Sequence, residues 1–330
     1  MARIVVIGAS LGGVPALMQI AAALPREFAA PVLIVLHVGE QPSILPTLLA
    51  SGARLEASHA VHDEPLRAGH IYVAPPDHHM LVSEDRIVLT RGPKEHHTRP
   101  AIDPLFRSAA LAHGADVIGV VLTGRLDDGT AGLQAIKKAG GIAVVQDPED
   151  AVASSMPASA LKYVDVDHCV PLPLIPVLLT SLVAAPVAAA PARSSVRERL
   201  DHEQQLTLQK GDVVEHLEAI GRPSTMACPD CHGTLWEILD SRPQRYRCHT
   251  GHGFTARSLQ ETMTIAGDEA LSSARRALQE RELLLRQMAD DHRSQGEEAR
   301  AARLESAAQQ LERQGELLLD LLEKSPEPIE

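Results

Sequence analysis

Residues 4–13 read IVVIGASLGG: four consecutive aliphatic side chains, a glycine, then a serine between Ala9 and Leu11. An apolar run of this length that stops at glycine predicts a strand buried on both faces. Val14–Leu24 follows at helical spacing and ends before Pro25, so it is the helix this strand feeds. The alternation recurs downstream. Pro31–Leu36 (PVLIVL), Asp116–Leu122 (DVIGVVL) and Ile142–Gln146 read as further buried strands. Ile44–Ala50, Asp103–Ala112 and Gly129–Ala139 read as helices, the last closed by Gly140 and Gly141. His70–Ala74, His79–Ser83 and Arg86–Thr90 read as short strands between turns. Together they predict a doubly wound parallel sheet, a three-layer α/β/α domain over residues 1–182.

The rest of the 330 residues is built differently. Val183–Ser195 (VAAPVAAAPARSS) lacks the large side chains a core needs and, with the polar stretch up to residue 225, reads as a linker. Residues 226–262 hold a cysteine cluster, and 263–330 a charged helical segment of coiled-coil character. Leu278 and Leu285, then Leu304, Leu311 and Leu318, recur at sevens. The repeat breaks near Asp290–Gly296, which favours a hairpin, and Ser325–Glu330 should fray. Its stripe is expected to pack on its own hairpin partner or the cysteine segment, with self-association or docking to a signalling protein as the other use.

Net charge is −12, with acidic residues in excess in both halves, and aromatics are only 2%. Nucleic-acid binding is therefore not expected. No apolar run approaches the roughly 18 residues of a membrane span. The opening strand lacks a signal-peptide layout, so a cytoplasmic protein is expected.

Gly8-Ala9-Ser10-Leu11-Gly12 admits three functional readings and one purely structural reading. A dinucleotide fingerprint is compromised because Ser10 stands where its second glycine belongs, and a phosphate-binding loop would need Lys after Gly13. The pattern matches a nucleophile elbow, G-x-S-x-G. Structurally, Ser10 would simply cap the following helix. Topology favours function. Ser10 follows the first strand, His37 directly follows PVLIVL, and Asp127 and Asp128 follow DVIGVVLTG. An alcohol, an imidazole and a carboxylate thus project from the carboxyl edge of one sheet, as acyl transfer requires.

VVIGASLGG (5–13), VLIVLHV (32–38), LRAGHIYVAPPDHHMLV (66–82), RPAIDPLFRSAA (99–110), GVVLTGRLDDGTAGLQAIKKAGG (119–141) and QDPEDAVASSMP (146–157) occur in order. With them residues 1–182 resemble the catalytic domain of the CheB-type chemotaxis protein-glutamate methylesterases. The resemblance implies hydrolysis of γ-glutamyl methyl esters on chemoreceptors or a related sensory protein, with glutamine deamidation as a companion reaction. It places the nucleophile on Ser10, the histidine on His37 and the aspartate on Asp128, and sets Asp127 at a variable position, expected to face solvent. Backbone amides of Leu11 and Arg125 would hold the oxyanion. The chain departs from the family at both: Leu11 replaces a small, often hydroxyl-bearing residue, and Arg125 a methionine. The family's receiver domain is not seen ahead of the catalytic segment. A different acyl substrate, an inactive scaffold and a nucleotide-binding protein are the competing readings.

Cys228-Pro-Asp-Cys231 and Cys248-His-Thr-Gly-His252 have the spacing of two metal-binding knuckles. They predict a structural zinc ion on Cys228, Cys231, Cys248 and His252, with His249 and His232 as alternatives for the fourth ligand. Free or redox-active cysteines and a catalytic zinc are the other readings. The intervening GTLWEILDSRPQRYRC reads as a hairpin with Trp236 and Tyr246 beside the metal, and Cys169 as a lone core residue. The block resembles an extension found in some stand-alone methylesterases.

Overall fold

A computed structural model describes residues 3–38, 40–187 and 194–324. In chain order its elements are β1 (Ile4–Ala9), α1 (Gly13–Ala23), β2 (Val32–Leu36), α2 (Leu45–Gly52), β3 (Glu56–His59), β4 (His70–Val73), β5 (His79–Ser83), β6 (Arg86–Thr90), α3 (Ile102–His113), β7 (Val117–Val121), α4 (Thr130–Lys138), β8 (Ile142–Gln146), α5 (Ser155–Tyr163), β9 (His168–Val170), α6 (Ile175–Ala184), α7 (Ser194–Leu208), α8 (Val213–Ile220), β10 (Gly221–Ala227), β11 (Thr234–Ile238), β12 (Arg245–Cys248), β13 (Gly253–Thr255), α9 (Ala256–Ser294) and α10 (Glu298–Glu323). The chain divides into two compact units, Met1–Leu259 and Gln260–Glu330.

In the first unit seven parallel strands form one sheet in the order β3-β4-β2-β1-β7-β8-β9. β1 is central, with Ile7 opposite Ile34 on one side and Val120 on the other. The pleat sorts its side chains. Ile4 and Val6 face a core with Phe106, Leu133, Ile136 and Met156; Val5, Ile7 and Ala9 face a second core with Leu17, Ile20, Leu49 and Leu179. Helices α3, α4 and α5 therefore cover one face and α1, α2 and α6 the other. Each such aliphatic side chain, fully buried, contributes on the order of 2 kcal/mol. The strand order runs away from β1 in opposite directions through β2 and β7, so the switch point lies at the carboxyl end of β1. The edge strands β3 and β9 are short and polar. Cys169, expected in the core, lies on β9 and is exposed, because an edge strand of three residues is not covered on both faces.

The antiparallel sheet β10-β11-β12-β13 belongs to the same unit. Its hairpin pairs Leu235 with Cys248 and Trp236 with Arg247. Alternation sets Trp236 on the face away from Cys248, and it packs against Leu206, Leu217, Ile220 and Ile238 rather than beside the cysteines. A buried ion network joins this sheet to α3 and α7. Glu95 accepts from Arg107 at 2.7 and 2.8 Å and from Arg247 at 2.5 Å. Glu203 takes both arms of Arg245 at 2.7 and 2.8 Å and lies 3.2 Å from Arg107. Burial opposes ionisation of both carboxyls, yet the arginines hold each well below the usual range. Removing one partner would strand a buried charge, at a cost of about 3–5 kcal/mol.

In the second unit α9 ends at a turn containing Gly296 (φ +78°), and α10 returns. The heptad break near Asp290–Gly296 is this turn. Arg286 reaches Glu282, Glu305 and Glu312 at 2.9, 3.3 and 2.9 Å. Ser325–Glu330 and residues 188–193 of the Ala/Pro-rich segment lie outside the described residues. Among the described residues no helix is long and apolar enough to cross a membrane.

Candidate active site

β1 ends at Ala9 and the chain turns directly into α1. Gly12 makes that turn with φ +79°, where a β-carbon would meet Val152 at 2.6 Å, so both conformation and space call for glycine. Gly12, not Ser10, is the residue that caps α1. The Ser10 hydroxyl is engaged elsewhere, 3.1 Å from His37 Nδ1. His37 follows β2 and donates its backbone N–H to Ala9 at 3.3 Å, which keeps the two strand ends together. Its Nε2 lies 2.8 Å from Asp128 Oδ2. An ionised carboxylate only accepts, so the ring proton sits on Nε2 and the Nδ1 lone pair faces the hydroxyl. The His37 side chain is 19% exposed and Asp128 2%, so the line runs from the rim into the protein.

Asp128 is held by more than His37. Its Oδ2 also accepts from Ile102 N at 2.7 Å, and Oδ1 from Asp103 N at 3.0 Å and Gly129 N at 2.8 Å. Ile102 and Asp103 open α3, whose N-cap residue, Ala101, offers no side-chain cap. Asp103 Oδ1 in turn accepts from Gly129 N at 3.1 Å and Gly132 N at 2.6 Å at the start of α4. Two helix N-termini thus exchange carboxylate caps, each worth about 1 kcal/mol, and the exchange orients Asp128. His96, one of sixteen histidines and not marked by any motif, lies 3.1 Å from Asp103 Oδ2 and 3.5 Å from Asp128 Oδ1. Burial opposes ionisation of Asp128, but His96 and the hydrogen bond from His37 hold its carboxyl well below the usual range. Burial likewise opposes the charge on His96, and the surrounding carboxylates outweigh it, raising the imidazole to about 9.

Asp127 corrects an expectation. It is buried, and its Oδ1 accepts from Thr255 Oγ1 at 2.8 Å. The antiparallel sheet provides a hydroxyl partner that a catalytic segment read by itself lacks. Burial pushes the Asp127 carboxyl up.

Leu11 and Arg125 flank Ser10, and both side chains are exposed, Leu11 by 55%. Among the described residues no acceptor takes either backbone N–H. A hydroxyl is absent at position 11, but Thr123 Oγ1 donates to the Leu11 carbonyl at 2.8 Å and accepts from Ala153 N at 2.8 Å. Gly124 is wedged against Met156 Sδ and Ser10 Cβ, which join the loop after β7 to the turn that carries Ser10.

The model for the CheB methylesterase domain matches residues 5–179. The chain belongs to the CheB methylesterase family. It matches the Thermotoga maritima CheB methylesterase catalytic domain with TM-score 0.53 and 33% identity, over 55% of this chain and 99% of that one. A Leptospira interrogans relative is 38% identical over 184 residues, which span 54% of this chain and 93% of that protein. The Geobacter metallireducens protein-glutamate methylesterase/protein-glutamine glutaminase 4 is 42% identical over 184 residues, 54% of this chain. The alignment spans 53% of that relative, and 53% of the similarly named Anaeromyxobacter dehalogenans protein, which is 39% identical. The chain therefore spans about half the length of these two curated relatives, and the CheB match ends before β10.

Three of the four cysteines converge in a second cluster. The ligand atoms of Cys228, Cys231, Cys248 and His252 lie within 4.8 Å of one another. Cys231 Sγ and Cys248 Sγ are 3.5 Å apart, and His252 Nδ1 is 3.5 Å from Cys248 Sγ and 3.7 Å from Cys228 Sγ. A tetrahedral ion about 2.3 Å from each sulfur would separate its ligands by about 3.7 Å, so the residues fit zinc. His249 lies over Gly233 and His232 is exposed; neither belongs to the cluster.

Proposed function

We propose that this CheB-family chain is a serine hydrolase that demethylates γ-glutamyl methyl esters on a chemotaxis receptor or related sensory protein, with glutamine deamidation as the companion reaction. The observation that carries the reading is the continuous line Ser10 Oγ, His37 and Asp128, with contacts of 3.1 and 2.8 Å. The names of the relatives, which specify glutamate methyl esters and glutamine, support the substrate class.

In the proposed reaction Ser10 Oγ attacks the ester carbonyl as His37 Nδ1 takes its proton. Asp128 keeps the other ring proton on Nε2 and stabilises the imidazolium. The Leu11 and Arg125 amides receive the oxyanion, a contribution on the order of 10²–10³ in rate per donor. His37 then gives the proton to the leaving oxygen, which departs as methanol, or to the amide nitrogen of glutamine, which departs as ammonia. Water then attacks the acyl-enzyme by the same route. A structural zinc ion on Cys228, Cys231, Cys248 and His252 would hold the two knuckles together; four protein ligands leave it no open position for chemistry. Methanol release from methylated receptor membranes tests the reading: wild type should release it and Ser10→Ala should not. Equal release by both would reject the assignment.

A further inference from the structure

His96 is reached from two sides. On the catalytic side, Nε2 faces Asp103 and Asp128. On the other, Nδ1 lies 3.3 Å from Ser258 Oγ, and its backbone N–H donates to the Gly253 carbonyl at 2.8 Å. Its φ of +52° is left-handed, a conformation costing a non-glycine residue about 1 kcal/mol or more unless its surroundings impose it. Thr255 Oγ1 donates to Asp127 and lies 3.1 Å from Ser258 Oγ. The neighbouring Glu95 is locked to Arg247 of β12. These contacts lie beyond residue 179, where the CheB match ends.

Resting on the hydrolase reading above, we propose that the antiparallel sheet and the start of α9 are a working part of the catalytic centre, holding His96 and Asp127 as positioning residues for the Asp128–His37 pair. Asp127 is joined to Asp128 by one peptide bond, so a hydroxyl that fixes the first limits the travel of the second. His96 presses on the same carboxylate from behind and balances the charge of the surrounding aspartates. Misplacement of a catalytic group by about 1 Å costs on the order of 10²-fold in rate. Both residues are buried and act through Asp128, so the effect should fall on kcat.

The test uses the full chain with Thr255→Val and Thr255→Ser on a methyl-ester substrate, with kcat and KM measured separately and zinc content checked. Thr255→Val should lower kcat roughly 10–100-fold with little change in KM or zinc, and Thr255→Ser should restore most of the rate. A folded Thr255→Val protein with kcat within about twofold of wild type would overturn the inference while leaving the hydrolase reading standing. Wild type without Ser10-dependent hydrolysis would instead fail that reading, and the inference with it. Should Thr255→Val not fold, Ser258→Ala, which strips the hydroxyl from His96 Nδ1, takes its place with the same expected fall and the same overturning result.

Discussion

Asp128→Asn alters one atom of a side chain whose two oxygens accept four hydrogen bonds. Oδ1 serves the Asp103 and Gly129 amides; Oδ2 serves the Ile102 amide and His37 Nε2. Asparagine has a single acceptor oxygen, so either orientation turns an NH2 toward donors. If the NH2 meets His37, the ring must move its proton to Nδ1, and the atom facing Ser10 becomes a donor instead of a base. The rate should then fall on the order of 10³–10⁴, the size of the tautomer effect in serine hydrolases. If the amide flips, His37 keeps its acceptor, but the buried Asp103 N–H loses its own and the Gly129 N–H is left with Asp103 Oδ1 alone. Each such loss costs about 1–3 kcal/mol. We expect about 1–3 kcal/mol lower stability together with the rate loss, because no orientation serves both ends. Urea unfolding of the folded variant and initial rates of ester hydrolysis measure the two. A kcat within about tenfold of wild type, at wild-type stability, would refute the reasoning.

The raised pKa of His96 makes stability depend on alkaline pH. Its folded value of about 9 exceeds the ordinary 6.5, so its stabilising contribution is complete below 6.5 and is lost as pH rises through 9. Between about pH 7 and pH 10 this group should remove about 2 kcal/mol, seen as a fall in melting temperature steeper in wild type than in His96→Gln; parallel curves would contradict it. Gly124→Ala would place a β-carbon 2.1 Å from Met156 Sδ and 2.9 Å from Ser10 Cβ. It should cost about 1–3 kcal/mol and most of the activity, read by thermal melting and hydrolysis rate. Cys248→Ser should reduce bound zinc from about one ion per chain to near none and lower the melting temperature, checked by elemental analysis and calorimetry; unchanged metal content would reject the ligand set.

The sheet was legible because its strands are buried on both faces. IVVIGA and PVLIVL can hardly be anything else, and the catalytic candidates follow from where those strands stop. The edge strands were not: EASH and HCV carry no apolar run, and only pairing to β4 and β8 makes them strands. Cys228, Cys231, Cys248 and His252 were legible from spacing, and the exclusion of His249 needed the packing of its ring on Gly233. The place of His96 beside Asp103 and Asp128, and the burial of Asp127, could not be read. Their partners Ser258 and Thr255 lie 162 and 128 residues away, and no local pattern records a contact of that range. Asp103 lies within RPAIDPLFRSAA, but its exchange of caps with Asp128 depends on two helix ends meeting on one face of the sheet.

The central claim is that the imidazole of residue 37 turns the hydroxyl of residue 10 into a nucleophile, and labelling with a serine-reactive fluorophosphonate tests it most directly. Mass spectrometry of the wild-type digest should find one adduct on the peptide containing Ser10, formed far more slowly in His37→Ala. An unlabelled Ser10, or a labelling rate indifferent to His37, would contradict it.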